Sequence, residues 1–213
     1  MKKFIRFGFA FCLFISLVAC SASSDTEFDC EANTFAKNPV ATIKVKDFGI
    51  MKYELYINRA PQSVANFVEL ANSGFYNGLT FHRLDQEYAI IQGGDPDGNG
   101  AGGPGYAIKG EFYENKHCND LANEKGTIAM ARSQEFDSAG SQFYLNFKDN
   151  SRIFGLGYAV FGRIIEGEDV LSKFEKVKTV AANGMNVPEK TIIIESISVE
   201  TFDQEMPEIN KIK

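Results

Sequence analysis

The sequence predicts a mainly β fold in which a closed antiparallel barrel is covered at its ends by α-helices. Three observations support this prediction: eight short segments rich in apolar residues, glycine-rich turns between them, and only two segments with helical periodicity. The chain has 213 residues, of which 44% are hydrophobic, and this length suggests one compact domain with extensions. Because there are 19 phenylalanines and no tryptophan, phenylalanine is expected to be the main bulky residue of the core.

Two consecutive strands are predicted at the start of the domain. Residues 40–46 alternate apolar and polar side chains, from Ala41 and Thr42 onwards, which is the period-two pattern of a half-buried strand. Residues 50–57 repeat this pattern, and Asp47-Phe48-Gly49 supplies the turn between the two strands. Six further candidate strands follow: residues 80–84, 89–92, 127–131, 142–145, 159–164 and 191–199.

The first predicted helix begins at Pro61, because proline is tolerated in the first turn of a helix, where its missing N–H would have no partner. Its apolar stripe consists of four residues at the spacings i, i+3, i+4 and i+7: Val64, Phe67, Val68 and Ala71. Gly74 is expected to end it. A second helix is predicted over residues 168–177, where four apolar residues share one face: Val170, Leu171, Phe174 and Val177.

The first twenty residues resemble a bacterial export signal. Three of the first six residues are basic, and residues 7–18 are apolar but fall short of the roughly twenty residues that a helix needs to span a bilayer. The string Leu17-Val18-Ala19-Cys20 resembles a lipobox, the motif whose cysteine is acylated and becomes the new N-terminus of a bacterial lipoprotein. Residues 1–19 are therefore predicted to be a signal peptide and Cys20 a lipidation site.

An ordinary signal peptide cut near Ala22 is the alternative, and it would give a soluble periplasmic or secreted protein. Residues 20–38 are predicted to form a flexible tether, because small and polar residues dominate them. The folded domain is predicted over residues 39–202. Residues 203–213 are charged and are predicted to form a frayed C-terminal tail.

The charge balance limits the partners of the protein. The full chain carries a net charge of −6, and removal of residues 1–19 takes away three positive charges and no negative one, which leaves −9. Such an acidic protein is not expected to bind nucleic acid or anionic lipid. Attachment to a membrane would therefore have to be covalent, through the lipid on Cys20. Cys30 and Cys118 would remain in the mature chain, and the sequence leaves open whether they pair or stay free.

Three short strings carry the strongest functional signal: Phe81-His82-Arg83, Gln92-Gly93-Gly94-Asp95 and Ser141-Gln142-Phe143. They combine one arginine and two glutamines with several apolar side chains. Arginine stays charged and offers only hydrogen-bond donors, so it cannot act as a general base. It can donate a hydrogen bond to an amide whose resonance is being broken, which is what cis/trans rotation about an X-Pro bond requires.

Together with Met130-Ala131-Arg132 and Val160-Phe161-Gly162, these strings resemble the cyclophilin-type peptidyl-prolyl cis-trans isomerases. The similarity extends from about residue 39 to residue 202, with family-like order and spacing. The resemblance implies an eight-stranded barrel with two capping helices and a substrate groove on its outer face. It also implies that the protein uses no metal and no cofactor.

The resemblance also implies roles for individual residues. Arg83 matches the catalytic arginine that contacts the prolyl amide, and Gln92 matches the glutamine that orients that arginine. Seven further residues match substrate-binding positions: Ile90, Ala131, Arg132, Gln142, Tyr144, Phe154 and Tyr158. The tyrosine at 144 replaces the usual phenylalanine, and its hydroxyl is expected to need a partner or solvent.

The link after Phe81-His82-Arg83 is one residue longer than the family pattern. The pocket phenylalanine of the family should fall near Ala89, yet the aromatic residue here is Tyr88. Either the loop bulges so that Tyr88 fills the pocket, or Ala89 leaves the pocket shallow. Both residues are therefore candidates for substrate binding.

Other signals in the sequence are weaker. His82 is predicted to point away from Arg83 and to be a hydrogen-bonded core histidine, because neighbouring strand residues face opposite sides. The segment from Asp95 to Gly100 resembles the start of a calcium loop, but its last ligand position is Tyr106 rather than glutamate. The glycines of residues 98–103 are better explained as a flexible loop beside the groove than as a phosphate site.

The predicted function is acceleration of X-Pro rotation in exported proteins, which assists their folding. The expected partners are proline-containing peptides and unfolded exported proteins, and the protein is expected to be a monomer anchored in the cell envelope. A non-catalytic proline-peptide-binding chaperone or docking module is the alternative, and the altered loop at Tyr88 supports it. A purely structural surface lipoprotein would neither bind nor turn over such peptides.

Overall fold

The computed structural model describes residues 35–182 and 184–213. The predicted signal peptide, the lipidation site Cys20 and the tether up to residue 34 lie outside the described residues. No helix in the described ranges combines the length and the apolar character that crossing a bilayer requires. Cys118 is disulfide-bonded, and the other three cysteines of the chain all precede residue 35.

Eight antiparallel strands form one curled sheet, with the order β10-β1-β2-β7-β5-β6-β4-β3. Their bounds are β1 Val40–Val45, β2 Gly49–Leu55, β3 Arg83–Asp85, β4 Ile90–Gly93, β5 Thr127–Met130, β6 Phe143–Asn146, β7 Val160–Glu166 and β10 Ile194–Glu200. A separate hairpin consists of β8 Thr179–Ala182 and β9 Met185–Pro188. The helices are α1 Pro61–Asn72, α2 Ser151–Phe154 and α3 Glu168–Phe174.

The two edges of the sheet meet through short bridges instead of a continuous strand pair. The Phe81 N–H donates to the Ile192 carbonyl at 2.9 Å, and the Gly78 N–H donates to the Ile194 carbonyl at 2.9 Å. Thr80 bridges to both Ile193 and Asp95. The predicted mainly β fold with eight antiparallel strands is therefore confirmed, while the predicted strand at residues 80–84 is divided into this bridging segment and the shorter β3.

Phenylalanine rings fill the interior, as the composition predicts. Phe67 on α1 contacts Phe143 on β6 edge-on, with ring centroids 5.4 Å apart, and contacts Phe161 on β7 at 5.2 Å. The predicted apolar stripe of α1 is buried. At the other end of the barrel, Phe174 of α3 stacks on Phe48 at 5.2 Å. Both predicted helices thus cover the barrel through their apolar faces.

The structure adds three elements that the sequence prediction lacked: the 3₁₀ turn Tyr113–Asn115, the short helix α2 and the β8–β9 hairpin. All but one of the eight strand residues of the hairpin are partly or fully exposed, so its alternation of apolar and polar side chains is weak. The dipeptide Asn183-Gly184 was an available signal, because Asn-Gly is a preferred two-residue hairpin turn. Gly184 has the positive φ, 75°, that such a turn requires.

Both predicted flexible ends are more ordered than expected over the described residues. The Lys37 N–H donates to Gln204 Oε1 at 3.2 Å, and Gln204 Nε2 donates back to the Lys37 carbonyl at 2.7 Å. Phe35 packs against the core. The prediction of a frayed tail over residues 203–213 is wrong, because Met206 and Ile209 pack on the core and Ile212 pairs with Ala107.

Candidate active site

One row of side chains crosses five strands of the barrel. Strand pairing places Arg83 opposite Gln92, Gln92 opposite Tyr144, and Tyr144 opposite Ala129. Ala129 is in turn opposite Val160. Directly paired residues of an antiparallel sheet point to the same face, and neighbouring strands lie about 4.8 Å apart. The active-site row, defined by these five residues, therefore leads from a cation at the sheet edge to an apolar centre.

Two acceptors hold the guanidinium of Arg83. Its Nη2 donates to Asp85 Oδ2 at 3.0 Å, and its Nη1 lies 3.4 Å from Gln92 Oε1. The other oxygen of Asp85 accepts the backbone N–H groups of Glu87 and Tyr88, each at 3.1 Å. Since the Arg83 side chain is 31% exposed, the held guanidinium still reaches solvent.

Asp85 is a site residue that the sequence prediction missed. It lies two positions after Arg83 on the same short strand, and residues at this spacing share a face. This spacing was the signal that could have identified it. Its carboxylate both neutralises part of the Arg83 charge and fixes the direction of the guanidinium.

A chain of amides orients Gln92 toward Arg83. Gln92 Nε2 donates to Gln142 Oε1 at 2.8 Å, so the Gln92 oxygen faces Arg83. Gln142 Nε2 donates to the carbonyls of Gly100 and Gly102 at 3.0 and 2.9 Å. The carbonyls of the glycine-rich loop thus hold Gln142, which holds Gln92, which faces Arg83. In this way the loop helps to orient the arginine without touching it.

An apolar cluster, which we call the apolar pocket, lies at the other end of the active-site row. Its buried residues are Ile90, Ala129, Tyr144 and Val160, with Leu121, Ala131, Phe154 and Tyr158 packed against them. Three aromatic rings contact one another here: Tyr144 lies 5.8 Å from both Phe154 and Tyr158, and these two lie 5.3 Å apart. The sequence prediction missed Leu121, Ala129 and Val160, which add aliphatic surface to the pocket.

Arg132 lies at the rim of the apolar pocket. Its guanidinium carbon is 4.7 Å from the centre of the Tyr158 ring, and its Nε donates to the Gly157 carbonyl at 3.0 Å. Its Nη1 donates to the Ser133 carbonyl at 2.9 Å. These contacts fix a second positive charge at the apolar end of the row.

The longer link separates the two candidate residues, Tyr88 and Ala89. Ala89 has a left-handed φ of 48° and packs in the main core with 2% of its surface exposed. Tyr88 is 37% exposed, and its ring lies 5.8 Å from Phe154. The structure therefore brings Tyr88 to the pocket, whereas Ala89 faces the barrel core and does not line the site.

The Tyr144 hydroxyl has the partner that its burial requires. It donates to Asn123 Oδ1 at 2.7 Å, and Asn146 Nδ2 donates to the same oxygen at 3.2 Å. Asn150 Nδ2 donates to Asn146 Oδ1 at 2.8 Å and to the Tyr88 carbonyl. The asparagine network, which consists of Asn123, Asn146 and Asn150, therefore connects Tyr144 in the pocket to the loop that carries Tyr88.

Tyr144→Phe is expected to lower the free energy of unfolding by about 1 kcal/mol, because Asn123 loses a buried hydrogen-bond donor, and to change isomerase activity little. Urea denaturation measures the stability. Tyr53→Phe is the control: the Tyr53 hydroxyl is buried without a hydrogen-bond partner among the described residues, so its removal should be neutral or stabilising. Equal losses in both variants would contradict the role of the asparagine network.

His82 differs from the prediction in its bonding. It is buried as expected, with 3% of its surface exposed. Neither ring nitrogen, however, has a hydrogen-bond partner within residues 35–182 and 184–213. Burial lowers the pKa of His82 below its ordinary value, and the nearby Asp95 carboxylate opposes this shift.

The lowered pKa of His82 predicts a loss of stability in acid. The unfolded imidazole binds a proton as the pH falls through about 6.5, while the folded one does not until the pH reaches its lower pKa. The free energy of unfolding should therefore fall across this interval. Urea denaturation at a series of pH values should show a steeper fall for the unmodified protein than for His82→Leu. Parallel curves would contradict the prediction.

Two cavities flank the Arg83–Gln92 pair. The first, of about 670 Å³, lies between Arg83 and the β8–β9 hairpin, which contributes Ala181, Ala182 and Met185. The second, of about 460 Å³, lies beyond Gln142 and is lined by the glycine-rich loop and Tyr106. Residues 35–182 and 184–213 contain no cluster of three or more potential metal ligands.

Comparison with known proteins gives one consistent result. The family model for the cyclophilin type peptidyl-prolyl cis-trans isomerases matches residues 40–199. A peptidyl-prolyl cis-trans isomerase of Helicobacter pylori is 42% identical over 151 residues, covering 71% of this chain and 87% of that protein. Peptidyl-prolyl cis-trans isomerase B of Bacillus subtilis is 39% identical over 143 residues, covering 66% and 95%.

A crystal structure of a Cryptosporidium parvum cyclophilin type peptidyl-prolyl cis-trans isomerase, obtained in the presence of the dipeptide Ala-Pro, is also similar. It superposes with a TM-score of 0.66 at 30% identity, and the match covers 76% of this chain and 99% of that one. The fold, the active-site row and the extent of the sequence matches lead to the same conclusion. The chain belongs to the cyclophilin-type peptidyl-prolyl cis-trans isomerases.

Proposed function

We propose that this isomerase binds the proline ring of its substrate in the apolar pocket and uses Arg83 to stabilise the twisted X-Pro bond. The observation that carries the proposal is the active-site row, which has a held guanidinium two strands from a buried aromatic pocket. The distance across two strand spacings is about 10 Å, which a prolyl peptide and the long arginine side chain can bridge.

The chemistry follows from the electronic change during rotation. A planar peptide bond is protected by resonance, and its rotation has a barrier of about 18–20 kcal/mol. When the bond twists, the prolyl nitrogen regains its lone pair and becomes a hydrogen-bond acceptor. A donor aimed at this lone pair stabilises the twisted state more than the planar one, so it lowers the barrier and does not merely tighten binding.

Arg83 suits this task because it never loses its proton at physiological pH. Asp85 and Gln92 hold it in place before the substrate arrives, so little reorganisation is needed in the transition state. The rings of Tyr144, Phe154 and Tyr158 would fix the proline while the rest of the chain turns. No step requires a metal or a cofactor.

The substrates are proposed to be proline-containing segments of unfolded exported proteins. The support is the export-like start of the sequence. A refolding experiment tests this: an exported protein whose folding is limited by proline isomerisation should refold faster with catalytic amounts of the isomerase. A refolding rate that does not depend on the isomerase, for a protein known to be limited in this way, would contradict the proposal.

The protein is proposed to be a monomer anchored to the cell envelope by lipid on Cys20. The lipobox-like string before Cys20 supports the anchor. Mass spectrometry of the protein from bacterial membranes should find an acylated N-terminal cysteine, and Cys20→Ser should release the protein into the soluble fraction. An unacylated N-terminus at Ser21 or beyond would contradict this, and light scattering of the purified protein tests the monomer.

A further inference from the structure

The chain after β10 turns back and runs along helix α1. Phe202 and Asp203 both have left-handed φ values, 54° and 60°, and form this turn. We call residues 205–213 the C-terminal strap. The strap lies beyond residues 40–199, the part of the chain that the family model matches.

Hydrogen bonds fasten the strap along its length. Gln62 of α1 donates from Nε2 to the Glu208 carbonyl at 3.0 Å and accepts the Asn210 N–H at Oε1, at 2.7 Å. Ile212 and Ala107 exchange two backbone hydrogen bonds of 2.7 and 2.9 Å. The strap is therefore joined both to α1 and to the segment that follows the glycine-rich loop.

The strap meets the active site through Tyr106. Lys211 Nζ lies 4.5 Å from the centre of the Tyr106 ring and 2.8 Å from Glu69 Oε1. The Tyr106 hydroxyl donates to Asn66 Oδ1 at 2.9 Å, and Asn66 Nδ2 donates to the Gly140 carbonyl at 2.8 Å. The tyrosine is thus held from one side by the strap and from the other by α1.

Tyr106 forms one wall of the cavity beyond Gln142. Gln142 is also the partner of Gln92, which orients Arg83. A substrate chain that leaves the active-site row in this direction would place a side chain in the cavity. Among the described residues that line it, Arg132 is the only charged one, and the others are glycines, serines and other uncharged residues.

We propose that the C-terminal strap is a positioning element. By holding Tyr106 against the cavity, it determines which side chain the isomerase prefers at a substrate position near the proline. The cavity accepts glutamate in preference to lysine, because Arg132, the charged residue among those that line it, attracts a carboxylate and repels a second cation. The proposal rests on the isomerase activity but not on the role of Arg83, since it concerns ratios between substrates and not the absolute rate.

The experiment measures kcat/KM for tetrapeptides in which alanine, glutamate, glutamine or lysine occupies in turn each position flanking the proline. At one position the full chain should prefer glutamate to lysine by about tenfold, the effect of a partly exposed charge pair. Deletion of residues 205–213 should reduce that ratio at least threefold, with activity on the all-alanine peptide retained.

Single substitutions keep the experiment informative if the deletion variant does not fold. Lys211→Ala should reduce the same ratio, and Lys211→Arg should preserve it, because arginine can keep both the ion pair with Glu69 and the contact with the ring. Lys44→Ala is the matched control: Lys44 has a similar exposed ion pair, with Glu195, away from Tyr106. An unchanged ratio in Lys211→Ala, or an equal loss of activity on every peptide, would overturn the proposal.

Discussion

Replacing Arg83 with alanine should lower kcat/KM for an X-Pro peptide by about 10²–10³, the usual effect of losing one preorganised donor to a transition state. Most of the loss should fall on kcat, because the donor acts on the twisted bond and the apolar pocket still binds the proline. Arg83→Lys should recover only part of the activity, since a lysine ammonium cannot satisfy Asp85 and Gln92 with the same fork.

The fold should survive the Arg83 substitution, because the side chain is partly exposed and belongs to no part of the core. NMR exchange spectroscopy or a protease-coupled assay measures the rate, and circular dichroism confirms the fold. Arg163→Ala is the matched control: it removes another partly exposed arginine in an ion pair, with Glu124, from the same sheet. Undiminished activity in Arg83→Ala would refute the catalytic assignment.

Glu111→Ala should have the largest effect on stability, a loss of about 3 kcal/mol, because several donors would be left without a partner. Glu111 is 3% exposed and caps helix α1 from a distant part of the chain. Its Oε1 accepts the Gln62 N–H at 2.8 Å. Its Oε2 accepts the Ser63 N–H at 2.7 Å and the Ser63 hydroxyl at 2.8 Å.

The cap is needed because the helix cannot cap itself. Its N-cap residue, Ala60, has no polar side chain, and the carboxylate of Glu111 supplies both acceptors and a charge that suits the positive end of the helix. Urea denaturation measures the loss. Glu124→Ala, which removes an exposed carboxylate, should change stability far less. Similar losses for the two variants would show that Glu111 is not a significant cap.

Local patterns in the sequence were enough to predict the elements whose residues interact mainly through one face. The alternation in residues 40–46 and the stripe of α1 follow directly from burial of that face. The pairing of Arg83 with Gln92, the proposed catalytic pair, was also predictable, because both residues lie in short strings that are typical of the family and their strands are close in the chain. Most of the apolar pocket could be assigned in the same way.

The remaining features depend on contacts that a local pattern does not encode. In the longer link, Ala89 combines a left-handed φ with burial in the main core, while its neighbour Ile90 packs in the apolar pocket. The strap depends on pairing between Ile212 and Ala107, which are far apart in the chain. Charged residues in the tail suggested fraying, yet Lys211 and Glu69 satisfy each other on the surface.

The position of the active-site row on the outside of the barrel has a consequence for the polypeptides that this isomerase can process. A substrate polypeptide can approach the row from the side, so neither of its ends has to be threaded through the protein. Backbone pairing across five strands holds the residues of the row in register. A proline in the middle of a long polypeptide is therefore as accessible as one near a terminus.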